Sequence, residues 1–397
     1  MDSIDKINAV WLLRCIARTN GIHLVCRLLY RFPQEALCRK SGREFESASL
    51  RIGDIKAGML AKPTHLIRIR RCGHVCVSLL AASLLCSPGN AQTQNGGPPR
   101  LGVTTPGVRR SMVDIHPDAT FDVEGQPDWM VVTDDAVWVA SSNVNHVVRL
   151  DPATNRPTRI VTISQPCSGL ATGFGAIWVP SCGAHALVRV DAQTGKIAAQ
   201  IPVAPADSEG GITVGDGSVW MATSKKGVLA RIDPQTNKAI AEIRIPSGSY
   251  APAFGDSGVW ISSTEHNLLT HVDTRSNRVV TSIPIGPQPR FLTVGAGSVW
   301  TLNQGDGTIS RVDMKTNRLV ATIPAGIPGT GGEIAFGDGS IWATVFQIPI
   351  SRIDPASNAV VQQWVGAGGD SIRVGHGSIW LTDFAHAKVW RLNPKQP

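Results

Sequence analysis

The sequence contains little charge, little tyrosine and, after its first quarter, little cysteine. Charged residues make up only 17% of the 397 residues, whereas hydrophobic residues make up 42%, which excludes an intrinsically disordered chain. The 40 glycines and 26 prolines are too many for a helical protein. No apolar run reaches the roughly 20 residues that a membrane-spanning helix requires, so we expect no span in the mature chain.

The formal net charge of +8 suggests a nucleic-acid partner, but the distribution of the charges excludes one. Residues 1–91 contain 14 basic and 6 acidic side chains, and therefore carry the entire excess. Residues 92–397 contain 24 of each sign. A neutral remainder offers no basic stripe for a phosphate backbone, so we predict no nucleic-acid partner.

A short basic segment, an apolar run of about a dozen residues and a small-x-small end follow one another between residues 68 and 92. This order is typical of a secretory signal peptide, with cleavage after Gly89 and Ala91. A buried helix is the alternative, and lipidation at Cys86 is disfavoured because Leu85 precedes it. The pattern predicts a periplasmic or secreted protein.

The position of this signal predicts the organisation of the N-terminal quarter. Signal peptides begin near a chain terminus, and Met59 is well placed as the initiator. We therefore interpret 1–58 as an over-extended gene start or a disordered segment, 59–91 as the signal peptide and 92–117 as a linker. Residues 118–397 form the folded part.

From residue 120 onward one unit of about 40 residues occurs seven times. Its marker is a tryptophan that follows a glycine-rich turn, with intervals of 40, 42, 40, 40, 42 and 38 residues. About thirteen residues later comes an Arg-aliphatic-Asp motif, and then a Thr/Ser-Asn or Thr-Gly turn. The seven tryptophans are Trp138, Trp178, Trp220, Trp260, Trp300, Trp342 and Trp380.

Each unit contains four short β-type runs, which in the fifth copy are Phe291–Val294, Val299–Asn303, Thr308–Asp313 and Leu319–Pro324. Four strands in about 40 residues indicate a propeller blade. We expect the Asp of each motif to cap the following turn, where Asn or Gly adopts the left-handed conformation. We expect the tryptophans and the motif's Arg to pack between blades.

The two ends of the repeat complement each other. The last unit lacks a fourth strand, and Phe121 lies 17 residues before Trp138, as Ile283 lies 17 before Trp300. The N-terminal strand therefore has the register of a fourth strand and is predicted to complete the last blade, which removes exposed sheet edges. The sequence predicts an all-β, seven-bladed, monomeric β-propeller of four-stranded blades.

The unit over 215–243 resembles the YVTN-type repeats of secreted bacterial propellers and is similar to those of the virginiamycin B lyase (streptogramin lyase) family. The resemblance covers about residues 118–394 and implies a seven-bladed fold. It also implies an eliminative ring opening, in which Mg²⁺ polarises the ester, a histidine is the base and glutamates hold the metal. Family blades carry an acid three residues after the Trp, where this chain retains only Asp383. No catalytic residue is therefore assigned.

The default binding site of a propeller is the face on which the first strands enter the central channel. The residues ten and nine positions before each Trp lie at this channel mouth, and they differ between blades. They combine opposed charges with aromatic rings, which predicts a pocket for a polar or anionic small molecule with Arg290 as the anion clamp. With Asp383 added, the candidate ligand residues are Asp128, Trp129, Ser168, Tyr250, Arg290, Phe291, Glu333, Asp370 and Asp383. Solvated loop residues with mutual ion pairs are the alternative.

The exported part retains two cysteines and several histidines on the same face. Cys167 and Cys182 fall in loops of the second blade, and export to an oxidising compartment predicts a disulfide between them. No pair of cysteines has histidine partners at ligand spacing, so we predict no metal site. Four histidines follow their Trp by six to eight residues and are candidates for metal binding or for a general base, with solvated loop residues as the alternative: His146, His185, His266 and His386.

These observations favour a periplasmic or secreted propeller that binds a small polar ligand or an envelope protein at its mouth, without a cofactor. The alternative is a metal-assisted lyase that opens a cyclic ester and uses Mg²⁺. A purely structural role in the envelope is the third hypothesis. The templates of serine hydrolases and phosphate-binding loops are absent from the sequence.

Overall fold

The computed structural model describes residues 100–256 and 258–395, and the backbone of two paired strands, β1 (Leu12–Ile16) and β2 (Val25–Leu29). Contacts divide the chain into two units, Met1–Cys86 and Ser87–Pro397. The predicted signal peptide and the cleavage site at Gly89 and Ala91 lie outside the described residues. None of the described helices is both long and apolar enough to cross a membrane.

The second unit is a ring of seven antiparallel sheets, so the predicted seven-bladed propeller is confirmed. Each blade runs from a first strand at the channel to an outer fourth strand. Blades one to four comprise β5–β8 (Gln126–Val132, Val137–Ser142, His146–Asp151, Arg156–Thr162), β9–β12 (Ala171–Gly173, Ala176–Ser181, Ala186–Asp191, Ile197–Ile201), β13–β16 (Ile212–Gly215, Ser218–Ser224, Val228–Asp233, Lys238–Arg244) and β17–β20 (Ser249–Gly255, Gly258–Ser263, Leu268–Asp273, Arg278–Pro284). Blades five to seven comprise β21–β24 (Pro289–Gly295, Ser298–Asn303, Thr308–Asp313, Arg318–Pro324), β25–β28 (Glu333–Gly337, Ser340–Val345, Ile348–Asp354, Ala359–Val365) and β29–β31 (Ile372–Gly375, Ser378–Asp383, Lys388–Leu392).

The seventh blade takes its fourth strand from the N-terminal side of the ring, as predicted. Strand β4 (Ala119–Asp122) pairs antiparallel with β31, and Phe121 lies opposite Val389. Phe121 is buried against Trp380, with 5.6 Å between the ring centroids. The ring is therefore closed by hydrogen bonds and by an aromatic contact.

The segment 100–118, which the sequence assigns mainly to a linker, packs against the sixth blade. Strand β3 (Arg109–Ser111) adds a parallel fifth strand to β28 and is followed by a 3-10 turn over Met112–Asp114. The Val103 amide donates to the Gln363 side chain at 2.7 Å. Because this segment lies outside the repeat, the 40-residue period gives no indication of its position.

The seven repeated tryptophans form the contacts between blades, as expected. All are at most 1% exposed. In five blades the indole N–H donates to the carbonyl of the glycine five residues earlier, as Trp300 does to Gly295 at 3.0 Å. A Cβ on Gly295 would lie 2.1 Å from the ring of Phe336, so glycine there admits the side chain of the next blade.

The Arg-aliphatic-Asp motif links neighbouring blades and shapes the turns. The Arg311 guanidinium lies 4.7 Å from the centre of the Trp300 ring and donates to Pro355 O and Asn358 Oδ1 of the next blade at 2.7 Å each. Asp313 accepts from the amide and the hydroxyl of Thr316 at 2.8 Å, while Asn317 has a φ of 54°. Both structural roles predicted for the motif are confirmed.

We expect the substitution Arg311→Ala to lower the free energy of unfolding by about 2 kcal/mol, because charge-assisted hydrogen bonds and a cation–π contact are lost together. Urea denaturation followed by tryptophan fluorescence measures the change. Arg318→Ala, on the exposed outer strand of the same blade, is the matched control and should change it by under about 0.5 kcal/mol. Equal effects of the two substitutions would contradict a role for Arg311 between blades.

Candidate functional site

Two aromatic side chains cross the central channel just inside its mouth. Trp129 of the first blade and Phe291 of the fifth meet edge to face, with 5.6 Å between their ring centroids, and both are about 95% buried. On the opposite side Gly169 lies beside the indole, where a Cβ would be 3.7 Å from Cε3 of Trp129. We call Trp129 and Phe291 the channel plug. They close the channel and are not open stacking surfaces on the face.

Below the plug the first strands enclose a cavity of about 310 Å³. Its wall runs from the plug to Phe336 and Val374 and carries one ion pair. In that pair the two terminal nitrogens of the Arg373 guanidinium donate to Glu333, which also accepts from the Ser371 hydroxyl. Glu333, a predicted ligand residue, is thus already neutralised by a cation of the neighbouring blade.

A loop over 202–211 enters the third blade and reaches over part of the mouth; we call it the mouth loop. Arg290 of the fifth blade donates to Asp207 Oδ1 at 2.6 Å and to Glu209 O at 2.8 Å. Its guanidinium also lies 4.7 Å from the centre of the Tyr250 ring. Arg290, the predicted anion clamp, therefore already has a carboxylate partner, and it holds the mouth loop across the fourth blade.

Asp128 and Asp370 meet above the plug, at the boundary between the first and seventh blades. Both are at least 90% buried, and the Asp128 carboxyl donates a hydrogen bond to Asp370. Burial, and then the Asp370 charge, raise the pKa of Asp128 well above its ordinary range. Burial raises the pKa of Asp370 to about 7, against hydrogen bonds from the Gly332 amide and Asp128. We call these residues the carboxyl pair, and burial favours its protonated form.

Further acids surround the carboxyl pair. Burial raises the pKa of Glu209, opposed by Arg290 and reinforced by Asp207 and Glu333. Burial also acts to raise the pKa of Asp207, but the hydrogen bond from the Glu209 amide and the charge of Arg290 outweigh it, so this pKa is lowered. The field of Glu209 acts in turn on both members of the pair. The mouth is therefore an acidic site in which burial favours the protonated form of the central acids.

Two buried hydroxyl groups beside these acids lack hydrogen-bond partners within the described residues. Thr344 Oγ1 is within 2.9 Å of where a Cβ on Gly369 would lie, next to Asp370. Ser168 Oγ is within 2.8 Å of where a Cβ on Gly210 would lie, next to Glu209. Both residues are 0% exposed. Because buried hydroxyls normally have partners, each of these groups is available to a ligand or solvent group.

Asp383 and His386 form a second arrangement at the rim of the seventh blade. His386 Nδ1 lies 2.9 Å from both oxygens of Asp383. The Asp383 side chain is 4% exposed and that of His386 is 61% exposed. Such a carboxylate fixes the tautomer of the imidazole and leaves Nε2 toward solvent, as a general base requires. The other three histidines predicted at the mouth, His146, His185 and His266, lie in the first, second and fourth blades.

The disulfide between Cys167 and Cys182 is present, with 5.9 Å between the Cα atoms and 15 residues of separation. It joins the entry of the second blade's first strand to the loop after its second strand. The backbone bonds Cys167 N to Pro180 O and Cys182 N to Gln165 O, at 3.0 Å each, lie alongside it. It therefore fixes the position of Ser168 at the mouth.

We expect the double substitution Cys167→Ser, Cys182→Ser to lower the free energy of unfolding by about 2–3 kcal/mol, because the unfolded chain regains the entropy of a 15-residue loop. Chemical denaturation with and without dithiothreitol measures it. The reductant should lower the stability of the natural chain by the same amount and leave the variant unchanged. A variant as stable as the oxidised chain would contradict this role.

The structure thus brings together most, but not all, of the predicted ligand residues. Asp128, Glu333 and Asp370 converge, and Tyr250 and Arg290 meet at the mouth loop. Trp129 and Phe291 form the plug, Ser168 lies at the edge, and Asp383 pairs with His386. Sequence reasoning missed Asp207 and Glu209, although one signal was present: the 42-residue interval from Trp178 to Trp220 reflects the longer mouth loop. Sequence reasoning also missed Arg373, although the alignment on the repeated Trp places this residue in the channel.

The donor groups at the mouth fit a metal ion poorly. Within residues 100–256 and 258–395 no three side chains of His, Cys, Asp or Glu are arranged to hold one. Burial favours the protonated form of the carboxyl pair, and Glu333 is engaged by Arg373. No step of a reaction is therefore derived through Mg²⁺ in this chain.

Comparisons with known proteins concern the fold. No family model matches the chain, and no curated protein matches it in sequence. A streptogramin B lyase structure matches with a TM-score of 0.59 and 20% identity over 69% of this chain and 96% of that one. The fold is that of a streptogramin lyase-like propeller.

Two structures of virginiamycin B lyase from Staphylococcus aureus match to the same extent. The selenomethionine-substituted enzyme gives a TM-score of 0.58 at 18% identity, and a catalytically inactive variant with quinupristin gives 0.59 at 17%. Each covers 69% of this chain and 98% of the other. The resemblance to this family inferred from the repeats is confirmed for the architecture. At such identities the likeness shows the fold and not the activity.

Proposed function

We propose that the protein is an exported propeller that binds a small polar molecule at its channel mouth. The observation that carries the proposal is the convergence of Asp128, Glu209 and Asp370 above the channel plug, beside hydroxyls without partners. The nearby cations are already engaged, Arg290 by Asp207 and Arg373 by Glu333. The acidic mouth therefore favours a ligand that donates hydrogen bonds over the anion expected from the sequence.

The site is concave and closed at its base, which favours a small molecule over an envelope protein. The disulfide agrees with an oxidising location, in the periplasm or outside the cell. The proposal needs no cofactor.

A thermal-shift panel tests this function. Purified protein is screened with small cations, neutral polyols and carboxylates, each with and without the substitution Glu209→Gln. We expect at least one cation or polyol, and no carboxylate, to raise the melting temperature of the natural chain, with a smaller rise in the variant. Asp338→Asn, in an exposed turn at the other end of the channel, is the control and should keep the full rise. Binding confined to carboxylates would overturn the proposal.

The Asp383–His386 arrangement favours one second candidate, a lyase that opens a cyclic ester. Asp383 is the acid retained at the position where the resembling family carries one, and it orients an exposed imidazole. Incubation with quinupristin, followed by mass spectrometry, separates the candidates. A lyase gives a linear product that the substitution His386→Ala abolishes, whereas the binding function gives intact peptide in both samples.

A further inference from the structure

We propose that the carboxyl pair, Asp128 and Asp370, is the subsite for an organic ammonium group, whose charge replaces the proton shared by the two acids. This inference rests on the proposed function and names the ligand class. It applies to the space above the channel plug, at the boundary of the first and seventh blades. Binding then takes the form of an exchange, in which a protonated amine enters and one proton leaves to solvent.

The first argument is the burial of two acids in contact. Asp128 is 8% exposed and Asp370 9% exposed, and a hydrogen bond joins their carboxyl groups. Two ionised carboxylates that are in hydrogen-bond contact and this deeply buried repel each other strongly. The pair therefore retains a proton when nothing else neutralises it. A cation that enters the site offsets the repulsion between the two carboxylates, so the shared proton can dissociate.

The second argument is the set of acceptors around the pair. Thr344 Oγ1, fully buried and without a hydrogen-bond partner, lies beside the residue that precedes Asp370. A primary ammonium group has three N–H donors. The two carboxyl groups and this hydroxyl oxygen provide three acceptors of the required kind.

The third argument is the charge that faces the pair from every neighbouring element. The mouth loop contributes Glu209, and the sixth blade contributes Glu333, which is neutralised by Arg373. The N-terminal segment contributes Arg100, whose guanidinium donates to the carbonyls of Pro328, Phe346 and Thr330. Arg100 attracts Asp370 at a distance, but its donors are directed to these carbonyls. The Gly332 amide donates to Asp370. No described cation donates a hydrogen bond to the pair itself.

The same acceptors suit an ammonium group better than a divalent metal ion. A magnesium ion requires six oxygens in a near-octahedral arrangement, and the described residues contain no suitable group of three acidic, His or Cys side chains. The channel plug closes the base of the site, so the rest of the ligand extends toward the mouth loop and Tyr250. The ligand class is therefore a small primary or secondary amine in its protonated form.

Isothermal titration calorimetry tests the exchange. The probes are n-butylammonium chloride and 1,4-diaminobutane dihydrochloride, with n-butanol, MgCl₂ and CaCl₂ for comparison. Titrations at pH 8 in two buffers of different ionisation enthalpy give the number of protons released. We expect an ammonium probe to bind with release of close to one proton, and its affinity to fall about a hundredfold between pH 8 and pH 6, because the release of one proton changes the affinity tenfold per pH unit.

Matched variants locate the effect. Asp128→Asn preserves the size of the side chain and should weaken ammonium binding at least tenfold and abolish proton release. Thr344→Val should weaken binding a few-fold while proton release continues. Asp338→Asn should change neither the affinity for the ammonium probe nor the release of the proton. Far-UV circular dichroism on each variant confirms the fold, and Thr344→Val remains a test of the site if Asp128→Asn fails to fold.

The outcomes separate this inference from the proposed function. Binding of ammonium without proton release, binding of only MgCl₂ or CaCl₂, or no binding of any ammonium probe up to 10 mM would each overturn the exchange. A neutral polyol could raise the melting temperature in the thermal-shift panel and do so less in the Glu209→Gln variant. In that case the proposed function stands and the ammonium–proton exchange does not. If neither experiment detects a ligand at the mouth, both are wrong.

Discussion

A chain that begins at Gly125 is expected to lose the closed propeller fold. It lacks β4, so β31 becomes an open edge and the seventh blade retains three strands. The truncation removes Phe121 and Val123, which are buried in the core of that blade. We expect the product to aggregate or to unfold at least 20 °C below the chain that retains the strand.

The magnitude follows from the contacts that are lost. Removal of a buried phenylalanine costs about 3–5 kcal/mol and a valine adds about 1–2 kcal/mol, before the hydrogen bonds of the strand are counted. The total stability of a folded domain is about 5–15 kcal/mol, so this loss is a large part of it. An exposed edge strand also pairs readily with other chains.

The matched control is a chain that begins at Asp118. It retains β4 but lacks the N-terminal segment with β3, and it keeps the bond from the Asp118 amide to Arg391 O at 2.9 Å. Size-exclusion chromatography with light scattering and scanning calorimetry compare the two. We expect the control to remain a monomer with one cooperative transition. Equal behaviour of the two truncations would show that closure by β4 contributes little.

The sequence predicts the ring so well because every blade repeats the same physical contacts. The Trp spacing fixes the strand count, and the Asp-x-x-Thr-Asn turn has a local cause in the capping of turn amides. The offset of 17 residues predicts the pairing of Phe121 with Val389, since Ile283 pairs with Leu269 in the same way. These contacts depend on residues close in sequence or at a fixed period.

The candidate site could be predicted only in part because it depends on departures from the period. Alignment on the repeated Trp places Asp128 and Asp370 at the mouth, but not their hydrogen bond across the closing blades. Arg290 is a cation in the sequence, and only the folded mouth loop brings Asp207 to it. Trp129 becomes part of the plug because Phe291 of the fifth blade meets it edge to face. Such contacts between loops of different blades have no signature in one unit.

The substitution Asp370→Asn is expected to stabilise the protein without ligand at pH 8 and to leave its stability unchanged at pH 4. The pKa of Asp370 is raised from 3.8 to about 7 by burial, so its contribution is complete below pH 3.8 and is lost as the pH rises through 7. A shift of about three pKa units corresponds to at most roughly 4 kcal/mol. Asparagine does not titrate and retains the size and the acceptor oxygen of the side chain.

Urea denaturation at pH 4, 6 and 8 measures the difference. We expect the variant to exceed the natural chain by about 2–4 kcal/mol in free energy of unfolding at pH 8, by less at pH 6 and by nothing at pH 4. Asp338→Asn, in the exposed turn at the far end of the channel, should change the free energy of unfolding equally at all three pH values. A variant destabilised at pH 8 would mean that the Asp370 charge stabilises the fold. The inference that Asp128 and Asp370 share a proton would then be wrong. A stabilised variant that no longer binds the ammonium probe would instead show that the buried acid is retained for its ligand, at a cost to the unliganded fold.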